Sequence, residues 1–252
     1  MTHRRSRIVA LCRQSSSMLL AAVLIGSLYA CQSVQPIPQT SAAPAQPGSA
    51  PQEPPRWTYL RFRLARNGDG AVDSYLDALI ADQVLAGPIA REDHRIPLWR
   101  FHRRWPDDPT GHQFSLILFA PSEVTQRLIE QVLADPLLDE LQEDGHLMEI
   151  RVDRPDQRRG ADVAATSDPS WPAAIQREWP KFIMGASRMW LGLVQSEASQ
   201  HPELALHARY QAVETALDRL WFKEANHAFF HHLSALFGYK PVRVIRRDIM
   251  TF

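Results

Sequence analysis

The sequence of 252 residues predicts an α+β protein. From residue 57 onward, short runs alternate apolar and polar residues, as half-buried strands do, and longer runs space apolar residues three and four positions apart, as amphipathic helices do. The two kinds of run alternate as far as residue 152, and helical runs dominate beyond residue 170. We therefore expect a unit of mixed strands and helices, followed by a helical region.

The first unit, residues 57–155, is predicted to hold four strands and two helices. The first helix spans Ala71–Leu85 and is expected to end at Gly87-Pro88, and the second opens at Ser122. The second and third strands flank a turn-rich segment and form a hairpin. The four strands are Trp57–Leu64, Leu98–Trp105, His112–Phe119 and Leu147–Val152. The resulting order βαββαβ predicts a ferredoxin-like split βαβ unit.

The second part, residues 170–252, is predicted to hold two long helices and one strand. Pro172 and Pro180 each follow a tryptophan and suit a first helical position, and apolar spacing traces one helix face from Pro180. The other helix begins near Pro202 and runs to Phe237, with Gly238 as its stop. The tail, residues 241–252, begins with proline and is predicted to be a C-terminal edge strand. We expect this helical subassembly to pack on the same domain as the first unit.

Residues 1–30 have the layout of an export signal. They contain four arginines and no acidic residue, and a 13-residue apolar run, Met18 to Ala30, follows the basic lead. A membrane-spanning helix needs about 20 apolar residues, so this run fits the core of a signal peptide better than a membrane span.

The apolar run ends in Leu28-Tyr29-Ala30-Cys31, which resembles the lipobox of bacterial lipoproteins. The resemblance implies cleavage before Cys31, and a diacylglycerol and an acyl chain on that cysteine, which together anchor a protein stably in a membrane. Gln32 stands where lipoproteins retained at an inner membrane often carry aspartate, so we expect a location at the outer membrane, facing the periplasm. The alternative is ordinary secretion with cleavage nearby.

Residues 31–56 are expected to join the anchor to the folded part. After Cys31, seven prolines stand among Ala, Gln, Ser and Gly, with almost no charged residue. This composition predicts a linker. The 25 residues after Cys31 would span roughly 25–30 Å as a flexible coil and about 78 Å in the polyproline conformation.

Charge and cysteine content restrict the possible functions. Without residues 1–30 the chain has 24 basic and 28 acidic side chains, and this mild acidity argues against a nucleic-acid partner. Cys12 and Cys31 are the two cysteines, so the mature chain cannot form an intrachain disulfide. Glycine-rich phosphate loops and paired zinc cysteines are missing from the sequence, and no cofactor is predicted.

Glu224, His227 and His231 form one candidate site. They stand at positions i, i+3 and i+7 of the second long helix, so all three could point one way and the two histidines could share a metal ion. The spacing resembles half of a carboxylate-bridged site for two metals, which requires Glu-x-x-His on a second helix. No second motif of this kind is present in the partner helix, and a partly buried helix flank is the alternative.

Two further segments contain residue types that enzymes use. Ser187 follows Gly185, but a hydrolase nucleophile requires Gly-x-Ser-x-Gly at a strand-to-helix turn, and this segment is predicted to be helical. We expect Gly185 to permit close packing instead. Asp107, Asp108 and His112 flank the hairpin turn, where they could bind a cation or exchange protons, although aspartate also suits a turn for its backbone preference alone.

A basic surface, which we call the arginine face, is predicted on one side of the sheet. Alternation gathers six side chains there: Tyr59, Arg61, Arg63, Arg100, His102 and Arg104. Arginines fixed on a rigid sheet can bind phosphate or carboxylate groups bidentately. The alternatives are a solvated surface and packing against the C-terminal helices, whose Glu214, Asp218 and Glu224 could pair with the arginines.

Residues 57–152 also resemble the C-terminal domain of lantibiotic dehydratases. The resemblance is carried by a Trp-led strand, a strand after a helix, an Asp-Pro turn and a His-led strand, which follow in that order as Trp57–Leu64, Leu98–Trp105, Asp108-Pro109 and His112–Phe119. It covers under half of the chain and implies an α+β fold. Neither activity nor site residues are carried over.

Taken together, the sequence predicts an envelope lipoprotein that is anchored to a membrane and binds another envelope component, such as a protein, without catalysis. Whether the chain is an enzyme is left open. One alternative is a metal-dependent envelope enzyme that uses Glu224, His227 and His231. Another is a module that binds an anionic ligand through Arg61, Arg63, Arg100, His102 and Arg104.

Overall fold

The strands form where the sequence alternates, and they make one antiparallel sheet in the order β2-β3-β1-β4. The computed structural model describes residues 53–239, except 105–107, 109–110, 155–156 and 159. The strands are β1 Arg56–Leu64, β2 Leu98–Arg103, β3 Gln113–Ala120 and β4 Leu147–Val152. All four predicted strands are therefore confirmed, with ends that differ by at most two residues.

The register of β1 against β3 decides which side chains face the core. Trp57 lies opposite Phe119, and Phe62 lies opposite Phe114. Because successive residues of a strand point to opposite faces, these two pairs lie on opposite sides of the sheet. The side of Phe62 and Phe114 carries the main core, together with the fully buried Leu60.

One continuous helical segment connects β1 to β2. It consists of α1 Tyr75–Leu79, a π-helical turn Ile80–Leu85, and α2 Ala86–Glu92. The prediction that Gly87-Pro88 ends this helix is wrong. Proline crowds the carbonyl four residues before it and lacks an N–H to bond it. The wider π turn lies directly before Pro88, where the N–H of Ala86 reaches back to the carbonyl of Ala81, and it gives the ring room.

Two helices connect β3 to β4, of which only the first is predicted. They are α3 Ser122–Leu133 and α4 Pro136–Glu143. The second begins where the Asp135 carboxylate accepts the N–H of Leu137 at 3.0 Å, with Pro136 at the first helical position. This is a favourable start for a helix, and it makes a short segment helical that hydrophobic spacing alone does not reveal.

The long helix α5, Ala173–Ala198, begins after Pro172 and contains Pro180 in its interior. Of the two prolines predicted to suit a helix start, Pro172 therefore marks the beginning of α5, and Pro180 does not. Pro180 cannot donate to the carbonyl of Gln176, four residues earlier. That carbonyl instead accepts the Ser167 hydroxyl at 2.6 Å, which satisfies it from outside the helix.

The last helical segment follows the prediction closely at its end. It consists of α6 Leu206–Leu220, a π-helical turn Trp221–Ala225, and α7 Asn226–Leu236. Gly238 has φ +72°, the left-handed conformation that commonly ends a helix. The predicted stop at Gly238 is thus confirmed.

The C-terminal helices pack on the core side of the sheet. α5 lies along the edge strand β2, where the N–H of Phe101 donates to Ser187 Oγ at 3.0 Å. α6 lies beside α1, where the Tyr75 hydroxyl and His207 Nδ1 are 3.1 Å apart. The buried hydroxyl of Tyr210 donates to Asp82, which joins α6 to the π turn after α1.

The predicted α+β class is confirmed by this combination of one sheet and a helical layer. The signal peptide, Cys31, nearly all of the linker and the predicted edge strand, residues 241–252, lie outside the described residues. Among the helices that are described, none has both the length and the apolar character needed to cross a membrane.

Candidate functional site

The arginine face lies on the side of the sheet opposite the main core. Arg61 is paired with Ser115 across β1 and β3, and Arg100 is paired with Ile117 across β2 and β3. Trp57, Leu98, Ile117 and Phe119 form a small second core on this same side. The face is therefore apolar at one end and basic at the other.

The connection after β4, residues 153–168, covers part of the arginine face. Asp153 begins this cover, and its backbone N–H donates to the Tyr59 carbonyl at 3.0 Å. Its carboxylate accepts the N–H of Tyr59 at 3.1 Å and the Arg61 guanidinium at 2.6 Å. Arg61, whose guanidinium also lies 4.5 Å from the Tyr59 ring centre, is thus held inside the protein's own structure.

Arg100 is held by the far end of the same connection. Its guanidinium donates to the hydroxyl and to the carbonyl of Thr166, both at 3.2 Å, and the residue is 9% exposed. Nearby, Trp57 Nε1 donates to the carbonyl of Asp162 at 3.0 Å. Both ends of residues 153–168 are therefore fastened to the face they cover.

The exposed remainder of the arginine face consists of Arg63, His102 and Arg104. Arg63 lies 3.9 Å from the Glu149 carboxylate, and Arg104 lies 3.5 Å from that of Asp108. Partial desolvation, and then the positive charges of Arg100 and Arg104, lower the pKa of His102. At neutral pH this rim presents guanidinium groups around a neutral imidazole.

The expectation that the C-terminal helices cover the arginine face is wrong. Glu214 of α6 lies on the opposite side of the sheet and accepts from Arg103 at 2.7 Å, while Asp218 and Glu224 are exposed. The reason is the two-residue period of a strand, which turns Arg103 away from Arg100 and Arg104. Arg103, which the arginine face does not include, is the arginine that the helices bind.

Asp77 of α1 is at the centre of a buried polar cluster. Its carboxylate accepts Arg103 Nε at 2.7 Å and lies 2.9 Å from His112 Nε2. Burial lowers the pKa of Arg103, but the charges of Asp77 and Glu214 outweigh it and raise this pKa above its ordinary value. Arg103 therefore stays charged, and it joins β2 to α1 and α6.

His112 shares this cluster and is only 2% exposed. Its Nδ1 lies 2.7 Å from the Arg104 carbonyl, and its Nε2 faces Asp77. Both ring nitrogens therefore have a hydrogen-bond partner inside the protein. The ring is fully engaged inside the protein, so it fastens the hairpin to α1 and does not reach a substrate.

Ser187 lies inside α5 and is buried. Its hydroxyl donates to the Ile183 carbonyl at 2.8 Å and accepts the N–H of Phe101. These bonds give it a structural role at the sheet edge. The expectation that Gly185 permits close packing is wrong, because no atom lies within 4 Å of where a Cβ would stand, and nothing in the structure explains this glycine.

Glu224, His227 and His231 are all exposed at the C-terminal end of the helical layer. The rings of His227 and His231 stack with centres 5.5 Å apart. In the part of the chain that the structure describes, no three His, Cys, Asp or Glu side chains come together as a possible metal site. The helix thus brings the two histidines together, and it does not complete a ligand set with Glu224.

An apolar groove of about 390 Å³ lies between α5 and α7. Its walls are Phe182, Met189, Leu193, Leu220, Ala228, Phe229, His232, Leu233 and Leu236. Hydrophobic spacing predicts the helices but not the groove, because the same spacing is expected of a helix buried on that side. Within the described residues, this groove is an open concave surface lined almost wholly by apolar side chains.

No family model matches the chain, and comparisons with curated proteins and with solved structures found no match. The resemblances to the lipobox and to the lantibiotic dehydratase domain remain predictions from the residues quoted for them.

Proposed function

We propose that this chain is a lipoprotein of the bacterial cell envelope, held to a membrane by lipid on Cys31, and that its folded body binds an envelope component without catalysing a reaction. The observation that carries the proposal is the continuous layout of a basic lead, a 13-residue apolar run, Leu28-Tyr29-Ala30-Cys31 and a proline-rich linker. Gln32 after the cysteine favours the outer membrane, facing the periplasm.

Binding is favoured over catalysis by the way the polar groups are used. Acid–base and nucleophilic chemistry use residue types such as those of His112 and Ser187. Both side chains are buried, and their hydrogen bonds are made to other groups of the protein. The open feature is apolar: the groove between α5 and α7. Concave apolar surfaces of this kind serve recognition.

Replacing Cys31 tests the anchor. We expect Cys31→Ala to abolish lipid attachment, so that the protein leaves the membrane fraction and its N-terminal peptide loses the mass of the lipid. Cys12→Ala is the matched control, because it removes the other cysteine of the chain and should leave lipid and membrane association unchanged. A Cys31→Ala protein that is processed normally and stays in the membrane fraction contradicts the proposal.

For residues 57–155 we propose the ferredoxin-like unit. The support is that β1 and β2 each pair antiparallel with β3, which lies between them, and that helical segments connect β1 to β2 and β3 to β4. Read from the β4 edge, the strand order is 4-1-3-2. These pairings and connections support the proposal of a split βαβ unit.

A second candidate function is the binding of an anionic ligand at the rim of the arginine face. It is favoured by the lowered pKa of His102, which follows in part from the positive charges beside it. Arg61 and Arg100 bind the connection that covers part of the arginine face. The ligand would therefore contact Arg63, His102 and Arg104. Titration with inorganic phosphate, followed by the chemical shift of the His102 ring, tests this, and an unchanged shift removes the candidate.

A further inference from the structure

The end of the helical layer exposes a set of large apolar side chains that we call the aromatic flank. Their exposed fractions range from 47% to 81%. They are Trp221, Phe222, Phe230, Leu236, Phe237 and Tyr239. Single exposed apolar residues are ordinary, but a contiguous group of this kind marks an interaction surface.

Contacts at the apolar groove connect these residues. The Trp221 ring centre lies 6.1 Å from that of Phe229, which lines the groove, and Phe237 directly follows Leu236, the last residue of α7. Leu236 is shared with the apolar groove, so the groove and the aromatic flank are continuous. The His231 ring lies 5.7 Å from the Tyr239 ring and 5.5 Å from that of His227, so the two histidines border the aromatic flank.

The charges after residue 30 are divided unevenly along the sequence, and the basic part is the C-terminal part, which also contains the residues of the aromatic flank. Residues 31–218 carry 18 basic and 26 acidic side chains. Residues 219–252 carry six basic side chains against Glu224 and Asp248. Arg219 and Lys223 are exposed, and the other four basic residues follow Tyr239 in the sequence, outside the described residues. The sequence therefore favours a partner that is apolar where it meets the rings and that carries negative charge.

We propose that the aromatic flank docks on the surface of a phospholipid bilayer that carries anionic headgroups. Phenylalanine and leucine enter the boundary between headgroups and acyl chains, tryptophan and tyrosine suit the interface because one end of each ring system is polar, and basic residues attract the anionic lipid. Lys223 stands seven residues before Phe230 and is exposed, so its stem can lie beside the flank while its ammonium stays in water.

A second copy of the chain fits this surface less well. Pairing two aromatic flanks would bring two basic ends together, and like charges repel. The proposal rests on the proposed function in one respect: an anchor on Cys31 and a 25-residue linker keep the bilayer within reach. Docking then needs no search through solution, because the effective concentration of the membrane is high.

Quenching of Trp221 by lipid tests the docking. The purified full chain is reconstituted in vesicles of phosphatidylethanolamine and phosphatidylglycerol whose acyl chains carry bromine, which quenches tryptophan on contact. Trp221→Phe supplies the background from the other six tryptophans. We expect the emission of Trp221 to be quenched.

Loss of one phenylalanine should lower the ratio of docked to undocked protein about tenfold or more. The double variant Phe222→Ser, Phe230→Ser should therefore lower it about 100-fold or more. Both residues are exposed, at 79% and 65%, so the fold should tolerate the change. Met148→Ser is the matched control, since Met148 is 57% exposed on β4 and should leave quenching unchanged.

Absence of quenching in the wild-type protein overturns the proposal, whether light scattering then finds a dimer or a monomer whose own tail covers the flank. Quenching that survives the double variant overturns it as well. Mass spectrometry of the N-terminal peptide detects the lipid on Cys31, and so tests the anchor separately from the docking of the aromatic flank. If Cys31 carries no lipid, the protein is added to the vesicles from outside, and quenching still tests the aromatic flank.

Discussion

Asp77 is hydrogen-bonded to two side chains, Arg103 in β2 and His112 just before β3. A buried carboxylate needs such partners, because an unpaired charge in the interior is costly. Side chains whose type suggests catalysis in the sequence thus make hydrogen bonds that stabilise the fold. The same holds for Ser187, whose hydroxyl completes the hydrogen bonding of a strand.

A second acidic residue, Glu92, makes a pH dependence predictable at the residue scale. Hydrogen bonds from Arg127, at 3.0 and 3.2 Å, lower the pKa of Glu92 below its ordinary value of 4.5, against desolvation and with help from the charges of Arg127, Arg95 and His94. The stability that this bridge contributes is therefore complete above pH 4.5 and is lost as the pH falls through the lower folded-state value.

We expect Arg127→Gln to lower the melting temperature by about 1–2 °C at neutral pH. At acidic pH the melting temperatures of the variant and the wild type should become equal. Arg91→Gln is the control, because Arg91 donates to the uncharged Gln131 at 2.8 Å and its effect should not vary with pH in this range. Melting curves by circular dichroism at a series of pH values measure both. A difference for Arg127→Gln that persists undiminished in acid would contradict the assignment.

At the scale of elements, α5 has two tasks, to cover the core and to cover the outer edge of β2. The bond from the N–H of Phe101 to Ser187 Oγ is the direct link, and the rings of Phe101 and Trp190 pack edge to face with centres 5.6 Å apart. Edge strands leave backbone N–H groups without partners unless another element supplies an acceptor. In this protein a serine inside a helix supplies one.

Ser187→Ala should therefore destabilise the fold by about 1–3 kcal/mol, because it leaves a buried N–H unpaired. Urea unfolding of the purified protein measures the change. Ser199→Ala is the matched control, since it removes the same atom at an exposed position, where the hydroxyl donates to the Ser196 carbonyl and accepts from the exposed Gln200 side chain at 3.4 Å, and it should change stability by less than about 0.5 kcal/mol. Equal effects of the two substitutions would show that the Phe101 bond contributes nothing.

At the scale of the whole molecule, the basic end should make docking depend on charge. A basic residue near an anionic bilayer contributes about 1 kcal/mol. We expect the triple variant Arg243→Gln, Arg246→Gln, Arg247→Gln to lower the docked-to-undocked ratio by about tenfold or more, as measured by the quenching of Trp221. The control is the triple variant Arg63→Gln, Arg91→Gln, Arg151→Gln, which removes the same charge elsewhere in the chain. A comparable fall of the docked-to-undocked ratio in this control would show that the position of the arginines does not matter.

The sequence predicts the strands well because burial of one face forces apolar residues into alternate positions, as in Trp57–Leu64. It does not predict what covers the arginine face, because residues 153–168 have no periodicity and bind through single contacts such as those of Asp153 and Thr166. Pro180 misleads for a similar reason. Whether a proline ends a helix depends on a distant acceptor or donor, here the Ser167 hydroxyl, which local sequence does not reveal.

The candidate site is less predictable than the fold. Phe229 lines the apolar groove and its neighbour Phe230 is exposed, although the two residues are identical in type. Hydrophobic spacing finds the helix, but which of its sides remains uncovered depends on where α5 ends up. Arg103 and Arg100 differ in the same way, since only the register of β2 decides which of them meets the acidic residues of the helices.

The position of α5 beside β2 has a consequence for proteins crowded together on a membrane. A sheet can grow into a filament only if each copy offers two open edges, one to receive a strand and one to extend the growth. In the described part of the chain, α5 closes the β2 edge, which leaves β4 as the open edge. Two copies could join once through β4, and growth would stop there, so contact between copies through this sheet does not by itself lead to polymerisation.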